Sequence, residues 1–139
     1  MTQEQKELLL KDLCTRLSYG VKCYISELKD YRVLGSIQYD GINTLFDFWN
    51  KEQTKYEFQL YISEFKPYLF PLSSMSEEQK KEFNSYFASV PYYGDNIHIP
   101  YYFVELLIDF YNKHHFDWRG LIPKGLAIDA TGLGIYENR

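Results

Sequence analysis

Apolar residues first recur at helical spacing: Leu9, Leu10, Leu13, Cys14 and Leu17 share one face over residues 3 to 17. Thr2 stands three residues before Gln5, the spacing of a capping box, and Ser18 and Gly20 mark the end of the helix. The period then falls to two. Val21, Cys23 and Ile25 alternate with Lys22 and Tyr24, and after a polar break over residues 27 to 30, Val33, Ile37 and Tyr39 alternate with Arg32, Ser36 and Gln38. Asp40-Gly41 predicts a tight hairpin with positive φ at both central residues, leading into a strand whose apolar side is Ile42, Thr44, Phe46 and Phe48. A polar turn over residues 50 to 54 precedes Tyr56, Phe58, Leu60 and Ile62. The expected core is a four-strand antiparallel meander, open or curled into a small barrel, with one apolar face that needs a cover.

Pro67, Pro71 and the SSMSEEQ run read as a linker over residues 66 to 75. Ser76, with Gln79 at capping-box spacing, opens a second helix over 76 to 88 buried through Phe83, Tyr86 and Phe87. After the turn-forming VPYYGDN, Pro100 fits the first position of a third helix, where Phe103, Leu106, Leu107, Phe110 and His114 follow the helical period. Gly120, Pro123, Gly125, Gly132 and Gly134 then interrupt regular structure, leaving a short strand at 126 to 129 and a loose end over the last five residues. The fold class is α+β in one domain: helix plus β-meander to residue 65, a linker to 75, a helical cover to 130 and a tail to 139.

Composition adds exclusions. The net charge of -4 is spread over both halves, with nine basic and ten acidic residues in positions 1 to 70 and six against nine in the rest. Such a chain has no basic face to neutralise phosphates, so nucleic-acid binding is disfavoured. No apolar run approaches the roughly 18 residues of a membrane span. The opening residues lack the charged and apolar regions of a signal peptide, which points to a cytoplasmic setting with Cys14 and Cys23 reduced and at least partly buried.

Candidate chemistry is sparse. His114, His115 and Asp117 invite a metal reading, but adjacent helical side chains diverge by about 100° and face one ion only if the helix ends between them. A histidine in the last helical turn suits the negative end of the dipole instead, and His98 adds nothing from its loop. Glu105 and Asp109 lie one turn apart on a polar face, where water keeps carboxylates ordinary. Ser73, Ser74 and Ser76 sit outside any nucleophile elbow, and no phosphate-cradling glycine loop occurs. No cofactor, metal or catalytic residue is expected. The aromatic content of 19%, with 14 tyrosines, is the feature that points outward. Tyr92, Tyr93, Tyr101 and Tyr102 flank one turn, while Trp49 and Tyr61, with Tyr19 and Tyr24, fall on the outer strand face; aromatics of this kind favour recognition surfaces.

KPYLFPLSSMSEEQKKEF (residues 66 to 83) and NKHHFDWRGLIPKGLAIDA (residues 112 to 130) resemble segments of small uncharacterised proteins of Bacteroides-group bacteria and their phages and prophages. The opening KELLLKDLCTRLSYGVK is similar to their start, and together the likeness covers roughly half the chain. It carries no catalytic motif. What it implies is context: a phage or mobile-element accessory protein in a bacterial cytoplasm, with FDWRGLI and PKGLAIDA as a segment that closes the core. Three readings follow. The leading one is a non-enzymatic interaction module that binds a host or phage protein, or a second copy of itself, through the tyrosines named above. The second is a nucleic-acid-associated accessory protein using Lys22, Lys29, Arg32, Lys51 and Lys55, and the third a small enzyme centred on His114, His115, Asp117 and Arg119.

Overall fold

The computed structural model describes residues 1–88, the backbone of 92–93 and 96–97, and residues 101–136. Thr2 caps helix α1 (Gln3–Arg16) as expected: its hydroxyl accepts from Gln5 N–H while the Gln5 side chain returns a bond to the Thr2 N–H. A 3₁₀ turn over Leu17–Tyr19 and Gly20 in the left-handed region turn the chain into strand β1 (Lys22–Ile25).

The expected meander is present as β1, β2 (Asp30–Tyr39), β3 (Thr44–Trp49) and β4 (Tyr56–Leu60), paired antiparallel in sequence order. The hairpin between β2 and β3 departs from the two-residue form. Only Gly41 has positive φ; the Asp40 carboxylate accepts from the N–H groups of Ile42 and Asn43 and ties up the turn itself. Ile42 therefore sits in the turn, 84% exposed, and not on the apolar strand face.

The sheet has six strands, not four, and it is open. Residues expected to be linker form β5 (Phe65–Leu69), which pairs antiparallel with β1 and parallel with β8 (Ile128–Asp129), giving the order β4-β3-β2-β1-β5-β8. Closure into a barrel would need β4 beside β1; β5 occupies that edge. Pro67 is accommodated opposite Cys23, and the period-two pattern survives around it: Phe65 and Leu69 join one core, Tyr68 and Phe70 the other.

Two cores result, one on each face. The apolar face of the meander (Cys23, Ile25, Leu34, Phe46, Phe48, Phe65) is covered by Leu9 and Leu13 of α1 and by Leu121, Leu126 and Ala127 of the late loop. Closure of the core by FDWRGLI and PKGLAIDA is thus seen directly. Helix α2 (Glu77–Phe87), capped through Ser76 and Gln79 as expected, and helix α3 (Tyr101–Lys113) serve the other face instead, where Phe83, Tyr86, Phe110 and Phe116 pack with Tyr68, Phe70 and Tyr136. Behind α2, β6 (Tyr92–Tyr93) and β7 (Asn96–Ile97) pair as a small ladder. The VPYYGDN turn as a whole, His98 and Pro100 lie outside the described residues.

The inward face of α1 differs from the apolar reading. Leu9, Asp12, Leu13 and Arg16 point in, at i, i+3, i+4 and i+7, and Cys14 is exposed. Asp12 and Arg16 are fully buried and joined at 2.7 Å. Arg16 Nη2 also donates to the Phe116 carbonyl at 2.6 Å, and Arg119 Nε lies 3.3 Å from Asp12 Oδ1, without the alignment of a hydrogen bond. Around this pair, Asn112 donates to the Thr15 carbonyl and accepts from Trp118 Nε1. Asp117 holds the next turn by accepting from the N–H groups of Leu121 and Ile122.

Of the last five residues, expected to be loose, 137–139 lie outside the described residues, and Tyr136 is held more firmly than the preceding glycines suggest. Tyr136 is 7% exposed; its hydroxyl accepts from Lys22 N–H at 2.9 Å and donates to the Tyr68 carbonyl at 2.8 Å. Burial pushes its pKa above the ordinary tyrosine value, so it stays a neutral donor.

Asp12→Ala leaves two guanidinium groups without their shared carboxylate and is expected to cost about 3–5 kcal/mol in urea unfolding. Lys11→Ala, on the exposed face of the same turn, should change stability by no more than about 0.5 kcal/mol. Tyr136→Phe is expected to lower stability by about 1–3 kcal/mol, because a strand N–H and a carbonyl lose their partner in the interior; an unchanged midpoint would show the tail to be dispensable.

Candidate functional site

The sites singled out from sequence separate into a buried clasp, a braced cleft, an occupied sheet face and an exposed helix end. Asp117 and Arg119 belong to the clasp between α1 and the loop after α3, where the first holds backbone N–H groups and the second faces Asp12. They do not converge with the histidines on a common site.

His114 and His115 do share a cleft. Helix α3 ends at Lys113, and His115 takes φ of 60°, so both rings line a depression of about 830 Å³ with Lys22, Gln79, Glu82 and Tyr136. The helix thus ends before both histidines and not between them, and the left-handed backbone at His115 turns its ring into the same cleft. Yet the polar groups there bind each other. Glu82 accepts from Lys113 at 2.6 Å, lies 2.9 Å from His114 Nε2, and accepts from the Tyr86 hydroxyl at 3.1 Å. His114 Nδ1 lies 3.3 Å from the Gln79 amide, and the His115 ring stacks on Tyr136 with centroids 3.8 Å apart. Burial works against the Glu82 charge, but the hydrogen bonds from Lys113 and His114 outweigh it and hold the carboxyl below its ordinary value. The result is a brace between α2 and α3. No group of three or more His, Cys, Asp or Glu among the described residues is placed to hold a metal ion.

On the outer sheet face, Trp49 is already packed. Its ring stacks on Tyr56 at 4.2 Å, and the pair lies over Gly35, where a Cβ would come within 2.5 Å of Trp49 Nε1. Gly35 is the extra residue of a bulge between Leu34 and Ser36, which makes room for the indole. Beside it the 4%-exposed Asp47 carboxylate resists burial by accepting from Ser36, Gln59 and Gln38, which together bring its pKa down. Tyr61 is 52% exposed beside a shallow groove of about 400 Å³ between α1 and the β2–β3 turn. The sheet's cations are largely engaged: Arg32 bonds Asp30 and Glu57, Lys51 pairs with Asp30, and Lys22 donates to the Ile135 carbonyl. Lys29 and Lys55 are exposed, and Arg32, Lys51 and Lys55 line one depression together with Glu52 and Glu57.

Exposed aromatics among the described residues include Tyr39, Tyr56 and Tyr61 on the sheet side and a pair at the start of α3. Tyr101 is 80% exposed and Tyr102 52%, their rings edge to face at 6.3 Å, followed by Val104 at 46% and Leu106 at 40%. Leu106, expected in the core, is thus on the surface, while Phe103 and Phe110 of the same helix are buried, Phe110 in the second core with Tyr111 packed against it. Phe87 of α2 packs edge to face on Phe103 but remains 41% exposed, also against expectation. The far end of α3 is anchored: Asn112 is tied to α1, and the Tyr19 hydroxyl donates to Asp109 at 2.7 Å. The side chains of Tyr92 and Tyr93 lie outside the described residues.

Glu82→Gln is expected to lower stability by about 1 kcal/mol at neutral pH by weakening the α2–α3 brace. Because the folded carboxyl titrates below its ordinary value, the wild-type advantage is complete above about pH 5 and is lost as pH falls through the depressed value. Unfolding curves of the two proteins that keep their separation at the acid end would refute the ion-pair assignment.

Compared with family models, curated proteins and solved structures, the chain matches none of them.

Proposed function

We propose that the chain is a non-enzymatic protein-interaction module that acts in a bacterial cytoplasm, as a phage or mobile-element accessory protein, by docking the N-terminal half of α3 on a host or phage protein. The observation that supports this is the placement of Tyr101, Tyr102, Val104 and Leu106 in solvent on one short helix whose other end is fixed to the body of the domain. Only the part of each side chain still in solvent, about half for Tyr102, Val104 and Leu106, remains to be buried on association. A helix already anchored by the α1 clasp and the Glu82 brace adds little ordering cost when it docks. The histidine cleft offers a poorer site, since its carboxylate and the His114 ring satisfy one another.

Affinity capture with the tagged full chain from host or phage-infected lysate is expected to recover one stoichiometric protein partner. The double variant Tyr101→Ala/Val104→Ala should keep its unfolding midpoint within about 1 kcal/mol of wild type, because both residues are exposed, and should lose that partner. Equal capture by wild type and variant would remove α3 as the docking surface. Recovery of a folded bait alone would remove the function.

A further inference from the structure

The exposed half of α3 is chemically one-sided, and that narrows what it fits. The exposed Tyr101 and Val104 and the half-buried Ile108 recur at i, i+3 and i+7, the spacing of a seam that packs against a partner helix. The seam is separate from the inward contacts of the helix, where Phe110 joins the second core, Phe103 packs on Phe87 and the His114 ring lies against Phe110. Beside it lie Glu105 and Asp109, one turn apart and both exposed, Asp109 also accepting from the Tyr19 hydroxyl. Residues 101 to 112 contain no lysine or arginine; the first base on the helix, Lys113, is held by Glu82. At the far end, Trp118 stacks on Tyr111, and the Arg119 guanidinium that lies over Trp118 faces Asp12.

We infer that this seam docks an amphipathic helix of another protein whose apolar stripe is flanked by lysine or arginine. The inference rests on the docking reading above and adds the class of partner. Apolar area supplies attraction without direction, while the flanking charge decides which helices are rejected. A second copy of this chain fits poorly. Antiparallel pairing about a two-fold axis sets the same edge of each helix side by side, which would bring the Glu105 and Asp109 rows of both copies together. A basic row opposite them instead forms the flanking ion pairs typical of paired helices.

The test uses two fluorescent amphipathic peptides of about four turns with the same leucine seam, one flanked by lysine and one by glutamate, titrated into the full chain by anisotropy. The lysine peptide is expected to bind at least about tenfold tighter than the glutamate peptide, with affinity falling as salt rises. Glu105→Lys should weaken the lysine peptide by about tenfold, as should Val104→Asp, whereas Glu52→Lys in the distant β3–β4 turn should leave it unchanged within about twofold. If the glutamate peptide binds as tightly, the partner class is overturned and the docking surface stands. Binding of neither peptide overturns both. Equal weakening by Glu52→Lys would reduce the effect to overall charge and overturn the seam, and a chain that light scattering shows to be a dimer, dissociated by Val104→Asp, would make the occupant a second copy.

Discussion

One buried carboxylate has to serve two arginines. Asp12 bonds Arg16 one turn along its own helix and faces Arg119 from the loop more than a hundred residues later, and neither Asp12 nor Arg16 touches solvent. Removing charges from water is costly, and a pair of this kind is seldom a net gain over apolar packing. What it does is restrict the alternatives: once Arg16 is inside, the chain must bring it Asp12 and the Phe116 carbonyl together. The end of α3, the Trp118 indole and the turn capped by Asp117 follow from that demand. The two cores on opposite faces of the sheet are joined at this point, because Phe116 belongs to one and Leu121 to the other.

Much of this was legible and some was not. Alternation located β1 to β4, and reciprocal side-chain bonds confirm the capping boxes at Thr2 and Ser76. The first helix was found through its leucines, but its inward face was misassigned, since hydrophobic spacing ranks Cys14 above Arg16 and has no means of foreseeing a charge satisfied by distant partners. β5 was missed because proline is a poor strand residue; here it pairs opposite Cys23 without breaking the alternation of its neighbours. Tyr136 was discounted because it follows two glycines, and its anchoring becomes visible only when Lys22 and Tyr68 lie next to it.

The candidate surface divides along similar lines. Tyr101 and Tyr102 are where an aromatic surplus suggested, whereas Trp49 is consumed by Tyr56 and by the gap at Gly35. Leu106 was expected inside and Val104 was given no side, because a helix with apolar residues on several sides gives no indication of which stripe the fold will bury. Tertiary placement decided it: α3 is held by α1 through Asn112, by Tyr19 of the following 3₁₀ turn through Asp109 and by α2 through Glu82 and the Phe87–Phe103 contact, and Val104 and Leu106 lie off all of these.

The pairing of β1 has a consequence for how the chain reaches its native state. This strand takes its antiparallel partners from early in the sequence, but β5 must receive β8, and Lys22 must receive Tyr136 from 114 residues away. Contacts that distant are entropically expensive to close before anything rewards them. The meander can assemble from its own turns, while both faces wait for later residues: Leu121, Leu126 and Ala127 on one, Phe110, Phe116 and Tyr136 on the other. During synthesis on a ribosome, the middle of the domain therefore spends its most exposed interval with Tyr68 and Phe70 uncovered.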